Sequence, residues 1–313
     1  MAHFDLIVIG GGSGGVACAR RAASYGARVA LCEPSRVGGT CVIRGCIPKK
    51  LMRYGAAFPD HFRAARGYGW QVEATHDWGA LIAARDREID RLNGVYIGML
   101  EKAGVQLIRA RGRVTAANAV EAGGETHTAD RILIAVGARP SLPALTGIEH
   151  AITSDEALEG MPQKPGRLAV IGAGYIGVEL AGILHGLGVE TSLVLRRDLP
   201  LRGFDTDLRK ALLEEMRGHG LDIRLETTIS AIERTAGGVV LDSSAGRLAY
   251  DAVLYATGRD PIPNTRGIGL EELGVPMEPA GAIRVDADYQ SSVPGIFAVG
   301  DCSDHAGNGL DSG

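Results

Sequence analysis

Residues 5–26 read DLIVIGGGSGGVACARRAASYG. A short run of Leu, Ile and Val ends on a glycine cluster and gives way to an alanine-rich segment. The apolar run reads as a strand buried on both faces of a parallel sheet, the glycines as a tight turn, and the alanines as a helix. Within the turn, Gly10-x-Gly12-x-x-Gly15 has one glycine for a sharp turn, one to leave room for a pyrophosphate, and one for close helix–strand packing. The same order recurs at 167–188, RLAVIGAGYIGVELAGILHGLG, where Gly172-x-Gly174-x-x-Gly177 opens the second helix. One such pattern is weak evidence. Here both lie between a strand and a helix, as the phosphate-binding mechanism requires.

Further runs extend the repeat: RVALCE and RILIAVG after the first turn, SLVLR and AVLYATG after the second. Between them, 113–129 and 228–249 alternate polar and apolar residues around GG and SSAG, which predicts antiparallel hairpins ahead of closing strands that end at Gly137 and Gly258. The fold class is therefore α/β: two tandem Rossmann-like units, each a parallel sheet with an inserted antiparallel β-meander. Residues 48–104 carry an insertion with helical periodicity, clearest over Leu81 to Leu100. The stretch 140–147, PSLPALTG, is a linker by composition, so the expected boundaries are 1–139, 140–261 and a returning segment 262–313.

Composition excludes several classes. Hydrophobic residues make up 45% and charged residues 22% of 313, ordinary for a globular protein. The net charge of −4 gives no reason to expect nucleic acid or an acidic membrane as partner. No apolar stretch has the length of a membrane span, and the opening MAHFDLIVIGGG runs straight into a strand without the marks of a signal peptide. Five cysteines, an odd number, suit a reducing cytoplasm better than a disulfide framework.

The residue closing the second strand of such a unit selects the ribose. In the first unit it is Glu33, 18 positions past Gly15, whose carboxylate can accept from ribose hydroxyls. In the second unit VLRRDLPLRGFD offers Arg196, Arg197 and Arg202 and no carboxylate at the strand end, which argues for a 2′-phosphate and hence NADP over NAD. A solvated basic turn is the plainer reading of these arginines.

Residues 37–50, VGGTCVIRGCIPKK, place Cys41 and Cys46 five apart beside basic residues. A metal site is disfavoured because no second Cys or His pair lies near in sequence. A structural disulfide would close only a short loop and remove little chain entropy. A redox dithiol fits better: flanking Arg44, Lys49 and Lys50 favour a thiolate, and the two sulfurs can meet if the helix between them is broken. Such a pair could take two electrons from a flavin and pass them on by exchange.

These residues carry a resemblance. GGTCVIRGCIPKK together with GAGYIGVELAGIL resembles the pyridine nucleotide–disulfide oxidoreductases, most closely the glutathione-reducing branch, and the likeness runs from residue 4 to about residue 301. The resemblance implies FAD in the first unit and NADPH in the second, with glutathione disulfide as substrate. It implies Cys46 as the flavin-facing thiol that forms a charge-transfer contact, and Cys41 as the interchange thiol. Lys49 would sit near the flavin, paired with Glu179, and Tyr175 would cover the flavin until NADPH displaces it. FAD positions carried over are Gly10, Gly12, Ser13, Gly14, Gly15, Glu33, Gly39, Thr40, Lys49, Gly137 and Asp301. NADPH positions are Gly172, Gly174, Tyr175, Ile176, Glu179, Arg196, Arg197, Arg202, Gly258 and Arg259. Ser13, Arg20 and Tyr96 match glutathione-contacting positions; their plainer readings are a solvated helix face for Arg20 and core packing for Tyr96.

The family is a homodimer whose C-terminal interface domain supplies a histidine acid from the partner. After Asp301 this sequence departs from that pattern, and His305 and Cys302 read as incidental, so reduction of the dithiol is expected to be competent and glutathione turnover impaired. Low-molecular-weight thioredoxin reductases use a Cys-x-x-Cys in the NADPH unit, yet 140–261 contain no cysteine. A dihydrolipoamide dehydrogenase would carry an NAD-type site. A non-catalytic flavin- or NADPH-binding relative is the remaining alternative, and the intact dithiol with Lys49 weighs against it.

Overall fold

The structure, a computed structural model, describes residues 2–258 and 264–304. Its elements run in chain order β1 (His3–Ile9), α1 (Ser13–Ser24), β2 (Val29–Cys32), α2 (Gly39–Arg44), α3 (Cys46–Arg66), α4 (Trp78–Lys102), β3 (Gln106–Ile108), β4 (Arg113–Ala116), β5 (Ala119–Ala122) and β6 (Glu125–Ile134). After a 3-10 turn at Ile148–His150 come α5 (Ser154–Glu159), β7 (Arg167–Ile171), α6 (Tyr175–Gly186), β8 (Glu190–Val194), α7 (Thr206–Gly218), β9 (Asp222–Arg224), β10 (Ile229–Thr235), β11 (Gly238–Ser243), β12 (Gly246–Tyr250), β13 (Ala252–Tyr255) and β14 (Ile296–Ala298). The chain divides into two compact units. One holds the described residues of Met1–Ile43, Glu88–Arg139 and Arg259–Ser312; the other holds Arg44–Arg87 and Pro140–Gly258.

In the first unit β1 pairs in parallel with β2 and β6, β2 carries β3, and β14 adds to β6. The meander β4–β5 joins the early half of β6, so that one strand serves both the hairpin and the parallel sheet. Alternation along the strands sorts their side chains onto two faces. Ile7, Ile9, Ala30, Cys32, Ile132 and Ile134 meet the meander (Val114, Val120) and the C-terminal segment (Ile268, Leu270, Ile283). Val8, Leu31 and Leu133 point the other way, onto Val16 and Ala19 of α1 and Leu100 of α4. This is why the strands read as continuous apolar runs: both faces are covered.

The second unit repeats the plan. Its parallel sheet has the order β13-β7-β8-β9, and β10-β11-β12 form a separate antiparallel sheet. Leu168, Val170 and Leu193 pack on α6 and α3 through Leu180, Leu184 and Met52, while Ala169, Ile171 and Val194 face the meander residues Ile232, Val239 and Leu241. The tandem Rossmann-like class is thus the one observed. Here, unlike in the first unit, the meander's last strand and the closing strand are separate, β12 ending at Tyr250 and β13 starting at Ala252.

Residues Arg44–Arg87, which the sequence sets within 1–139, pack with the second unit. The local reason is a close helix contact. A Cβ on Gly186 would lie 2.8 Å from the Ala56 carbonyl oxygen, so α3 and α6 touch backbone to backbone at two small residues. Trp78 completes the attachment, its indole N–H donating to the Met161 carbonyl at 3.2 Å. Arg85, 2% exposed, donates to Asp86 at 2.8 Å beside Met52.

Candidate active site

The two glycine turns have matching geometry. Gly10 and Gly172 adopt φ of +109° and +108°, a region costly for any side chain, and each closes against the carbonyl of the neighbouring strand's end, Ala135 and Ala256. A Cβ on Gly15 would fall 1.9 Å from the Gly10 oxygen, and one on Gly177 would fall 2.0 Å from the Gly172 oxygen. The middle glycines differ. Gly12 would meet only the Gly39 Cα at 3.7 Å, and Gly174 would meet nothing within 4 Å. Helices α1 and α6 both start from these middle glycines without a side-chain cap. Each turn thus offers open space and unclaimed helix N–H groups where a pyrophosphate can sit, so the residues present fit a dinucleotide in each unit.

Glu33 stands beside the first turn. Its Oε2 accepts from the Gly11 N–H at 2.8 Å, and its Oε1 accepts from the Ser35 N–H at 2.9 Å. These contacts orient the carboxylate and leave lone pairs for ribose hydroxyls. In the second unit, Arg196, Arg197 and Arg202 are exposed on the turn after β8, and no ion pair among the described residues engages them. That turn is tied to the glycine loop: the Leu201 N–H donates to the Ala173 carbonyl at 2.8 Å. The backbone that carries the arginines is therefore tied to the second glycine loop, while their side chains are exposed.

Cys41 belongs to the first unit. The Gly38 N–H donates to the Gly11 carbonyl at 2.8 Å, and a Cβ on Gly39 would lie 2.5 Å from the Gly12 Cα. Two glycines at positive φ let α2 start hard against the first glycine turn, with Thr40 and Cys41 following directly in the helix. Cys41 is half-buried. Cys46 opens α3 in the second unit and is exposed. The backbone between them is broken, as a dithiol needs: α2 ends at Arg44, and Gly45 has φ −142° and ψ −115°.

The basic neighbours of the cysteines have partners of their own. Arg44 Nε lies 3.0 Å from Glu159, and Lys50 stands 5.0 Å over the Tyr54 ring. Lys49 Nζ donates to both Glu179 oxygens at 2.8 Å. Cys46 itself is the first residue of the 21-residue α3, whose start carries no side-chain cap. The Lys49–Glu179 pair follows from the helix contact. Ala56 is seven residues past Lys49 and Gly186 is seven past Glu179. Two turns along each helix, the tight crossing sets the spacing that the pair spans.

Other expected positions fall as follows. Ser13 and Arg20, two turns apart, share an exposed face of α1. Tyr96 on α4 is half-buried against the core beneath that helix, so packing accounts for part of its surface. Gly14 faces Val299, and Gly137, at φ +64°, follows β6. Asp301 is exposed just after β14, Tyr175 is 39% exposed at the head of α6 with Ile176 packed behind it, and the Gly258 carbonyl accepts from Ser141. Arg259 and His305 lie outside the described residues.

The remaining cysteines are chemically distinct from the pair. Burial pushes the Cys32 thiol up to about 12 and the Cys302 thiol up to about 11, from an ordinary 9.0. Cys302 also donates to the Val299 carbonyl at 3.3 Å. At pH 8 an alkylating agent should label Cys46 in the native protein and reach Cys32 and Cys302 only on unfolding. Because these two thiols hold their protons longer when folded, they leave stability untouched below about pH 8. Stability should then fall from about pH 9 upward, by up to about 1.4 kcal/mol per pH unit for each thiol. Thermal melts at pH 8 and pH 10.5 check the sign.

A family profile described as pyridine nucleotide-disulphide oxidoreductase matches residues 4–312. The chain is 47% identical over 300 residues to a glutathione reductase of Burkholderia cepacia, covering 95% of this chain and 66% of that protein. It is 46% identical to a glutathione reductase of Nostoc sp., covering 96% and 68%, and 42% identical to a chloroplastic/mitochondrial glutathione reductase of Pisum sativum, covering 96% and 56%. The chain thus spans about two thirds or less of the length of these relatives. Among the described residues, no helix is long and apolar enough to cross a membrane.

Proposed function

Because this chain belongs to the pyridine nucleotide-disulphide oxidoreductase family, we propose that it carries electrons from NADPH through FAD to a Cys41–Cys46 disulfide and on to glutathione disulfide. The observation that carries the reading is the close approach of Gly38 and Gly39, the residues just before Thr40 and Cys41, to Gly11 and Gly12 of the first glycine turn. FAD, when bound, supplies a carrier that takes a hydride from a nicotinamide and delivers an electron pair to a disulfide.

The protein's own groups then have definite roles. Gly10, Gly12, Gly14 and Gly15 with Ser13 cradle the FAD pyrophosphate, Glu33 accepts from its ribose, and Gly39, Thr40, Gly137 and Asp301 line the rest of its site. Gly172, Gly174 and Ile176 seat the second dinucleotide, with Gly258 and Arg259 bounding it; Arg196, Arg197 and Arg202 pair with its 2′-phosphate. Tyr175 covers the flavin face until the nicotinamide arrives. Lys49, held by Glu179, keeps a cation near the flavin. Cys46 receives the electron pair while the S–S bond breaks and a solvent proton is taken up. Cys41, released as thiolate, attacks the substrate disulfide; one glutathione leaves as a thiol and Cys46 then displaces the other. Ser13, Arg20 and Tyr96 receive the substrate. The balance is NADPH, one proton and one disulfide in, NADP⁺ and two thiols out. The same reading takes glutathione disulfide as the small-molecule partner and a reducing cytoplasm as the setting.

The test is a reductase assay on FAD-loaded protein with NADPH or NADH against glutathione disulfide, lipoamide and oxidised thioredoxin. The expected order puts NADPH with glutathione disulfide first. A preference for NADH with lipoamide would sink the reading.

A further inference from the structure

The turn that displays Arg196, Arg197 and Arg202 is stitched at its ends by main-chain bonds. Leu195 N–H donates to the Arg224 carbonyl at 3.0 Å, Glu226 N–H to the Arg197 carbonyl at 3.1 Å, and Leu201 N–H to Ala173 at 2.8 Å. Its middle is held otherwise. Arg209, from the first turn of α7, donates its Nε to the Pro200 carbonyl at 2.6 Å and its Nη2 to the Leu199 carbonyl at 3.2 Å. The turn needs that hold, since Leu201 stands at φ +51°, a conformation that costs a branched residue energy.

Arg209 is also a cation in the wrong place for its helix. The positive end of the α7 macrodipole disfavours it, whereas Asp205, accepting from the Asp207 and Leu208 N–H groups, satisfies that end. Its compensation is the pair of carbonyls. A carbonyl free to swing toward a bound phosphate would repel it, and the guanidinium fork keeps two of them turned to itself.

We infer that Arg209 is a positioning residue for 2′-phosphate recognition: its fork fixes the turn that presents Arg196, Arg197 and Arg202, and so sets the preference for NADPH over NADH. The inference rests on the NADPH reading above and adds a residue that does not itself touch the phosphate.

The experiment is calorimetric titration of the FAD-loaded protein with adenosine 2′,5′-bisphosphate and, separately, with 5′-AMP. Wild-type protein should prefer the bisphosphate. Arg209→Met and Arg209→Lys should each weaken bisphosphate binding roughly tenfold and leave 5′-AMP binding unchanged, because lysine keeps the charge and loses the fork. Arg209→Lys serves alone if Arg209→Met does not fold. Undiminished bisphosphate binding in the variants overturns the inference. So does a loss in Arg209→Met that Arg209→Lys fully restores, which would make charge alone the cause, or an equal weakening of both ligands. A wild-type protein without preference for the bisphosphate overturns the NADPH reading, and this inference with it.

Discussion

Replacing Cys46 by serine should lower NADPH-dependent disulfide reduction by roughly 10⁴-fold or more, while the fold and the bound flavin persist. Serine keeps the shape of the side chain at the start of α3 but cannot form the S–S bond into which the electron pair is delivered. The site is exposed, so the exchange leaves no cavity. Cys41→Ser should be as severe for turnover, because the disulfide needs both sulfurs. The two are separable by a second readout: the exposed Cys46 of the Cys41→Ser protein should still react with an alkylating agent. Cys32→Ala, in contrast, should reduce stability by removing a buried sulfur from the first sheet and leave the rate of disulfide reduction nearly unchanged. Initial rates and thermal midpoints on the same preparations check all three.

Gly15→Ala and Gly12→Ala should fail in opposite ways. The new methyl at position 15 would sit 1.9 Å from the Gly10 oxygen, inside contact distance of backbone that cannot move without opening the β1–α1 turn. The expected cost is about 3 kcal/mol, with the flavin lost as a consequence of the damaged turn. At position 12 the methyl meets only the Gly39 Cα at 3.7 Å, an ordinary contact, and Gly12 has an extended backbone that alanine can adopt. Stability should fall by less than about 1 kcal/mol, mostly through a poorer helix cap. The methyl would nevertheless occupy the space a pyrophosphate needs, and affinity for FAD should drop by roughly a hundredfold. Gly177→Ala and Gly174→Ala should repeat the contrast for NADPH. Flavin absorbance at fixed protein concentration, read beside the melting curve, distinguishes lost stability from lost cofactor.

What could be read from the sequence was local. The glycine turns, the strands and both meanders are short-range signals: period-two alternation, a doubled glycine, a strand running into an alanine-rich helix. Each is decided within a few residues, and each appears where it was expected. What escaped is decided by contacts between distant segments. Residues Arg44–Arg87 join the second unit because Ala56 and Gly186, 130 positions apart, let two helices touch. Arg44 looked available to the sulfurs, yet it is held by Glu159, more than a hundred positions away; the pairing of Lys49 with Glu179, by contrast, is the one the resemblance implies. In the first unit the meander's last strand continues into the parallel sheet as β6, which no turn signal could announce. Arg209 gave no signal at all, since an arginine in an amphipathic helix is ordinary until its carbonyl partners are seen.

The central claim is that Cys41 and Cys46 receive the electrons of NADPH. FAD-loaded protein, air-oxidised and then titrated anaerobically with NADPH, should gain two alkylatable thiols per chain for one NADPH consumed. Mass spectrometry should place both labels at Cys41 and Cys46, and neither Cys46→Ser nor Cys41→Ser protein should gain a pair. Full flavin occupancy with NADPH consumed and no new thiol at these two positions would contradict the account.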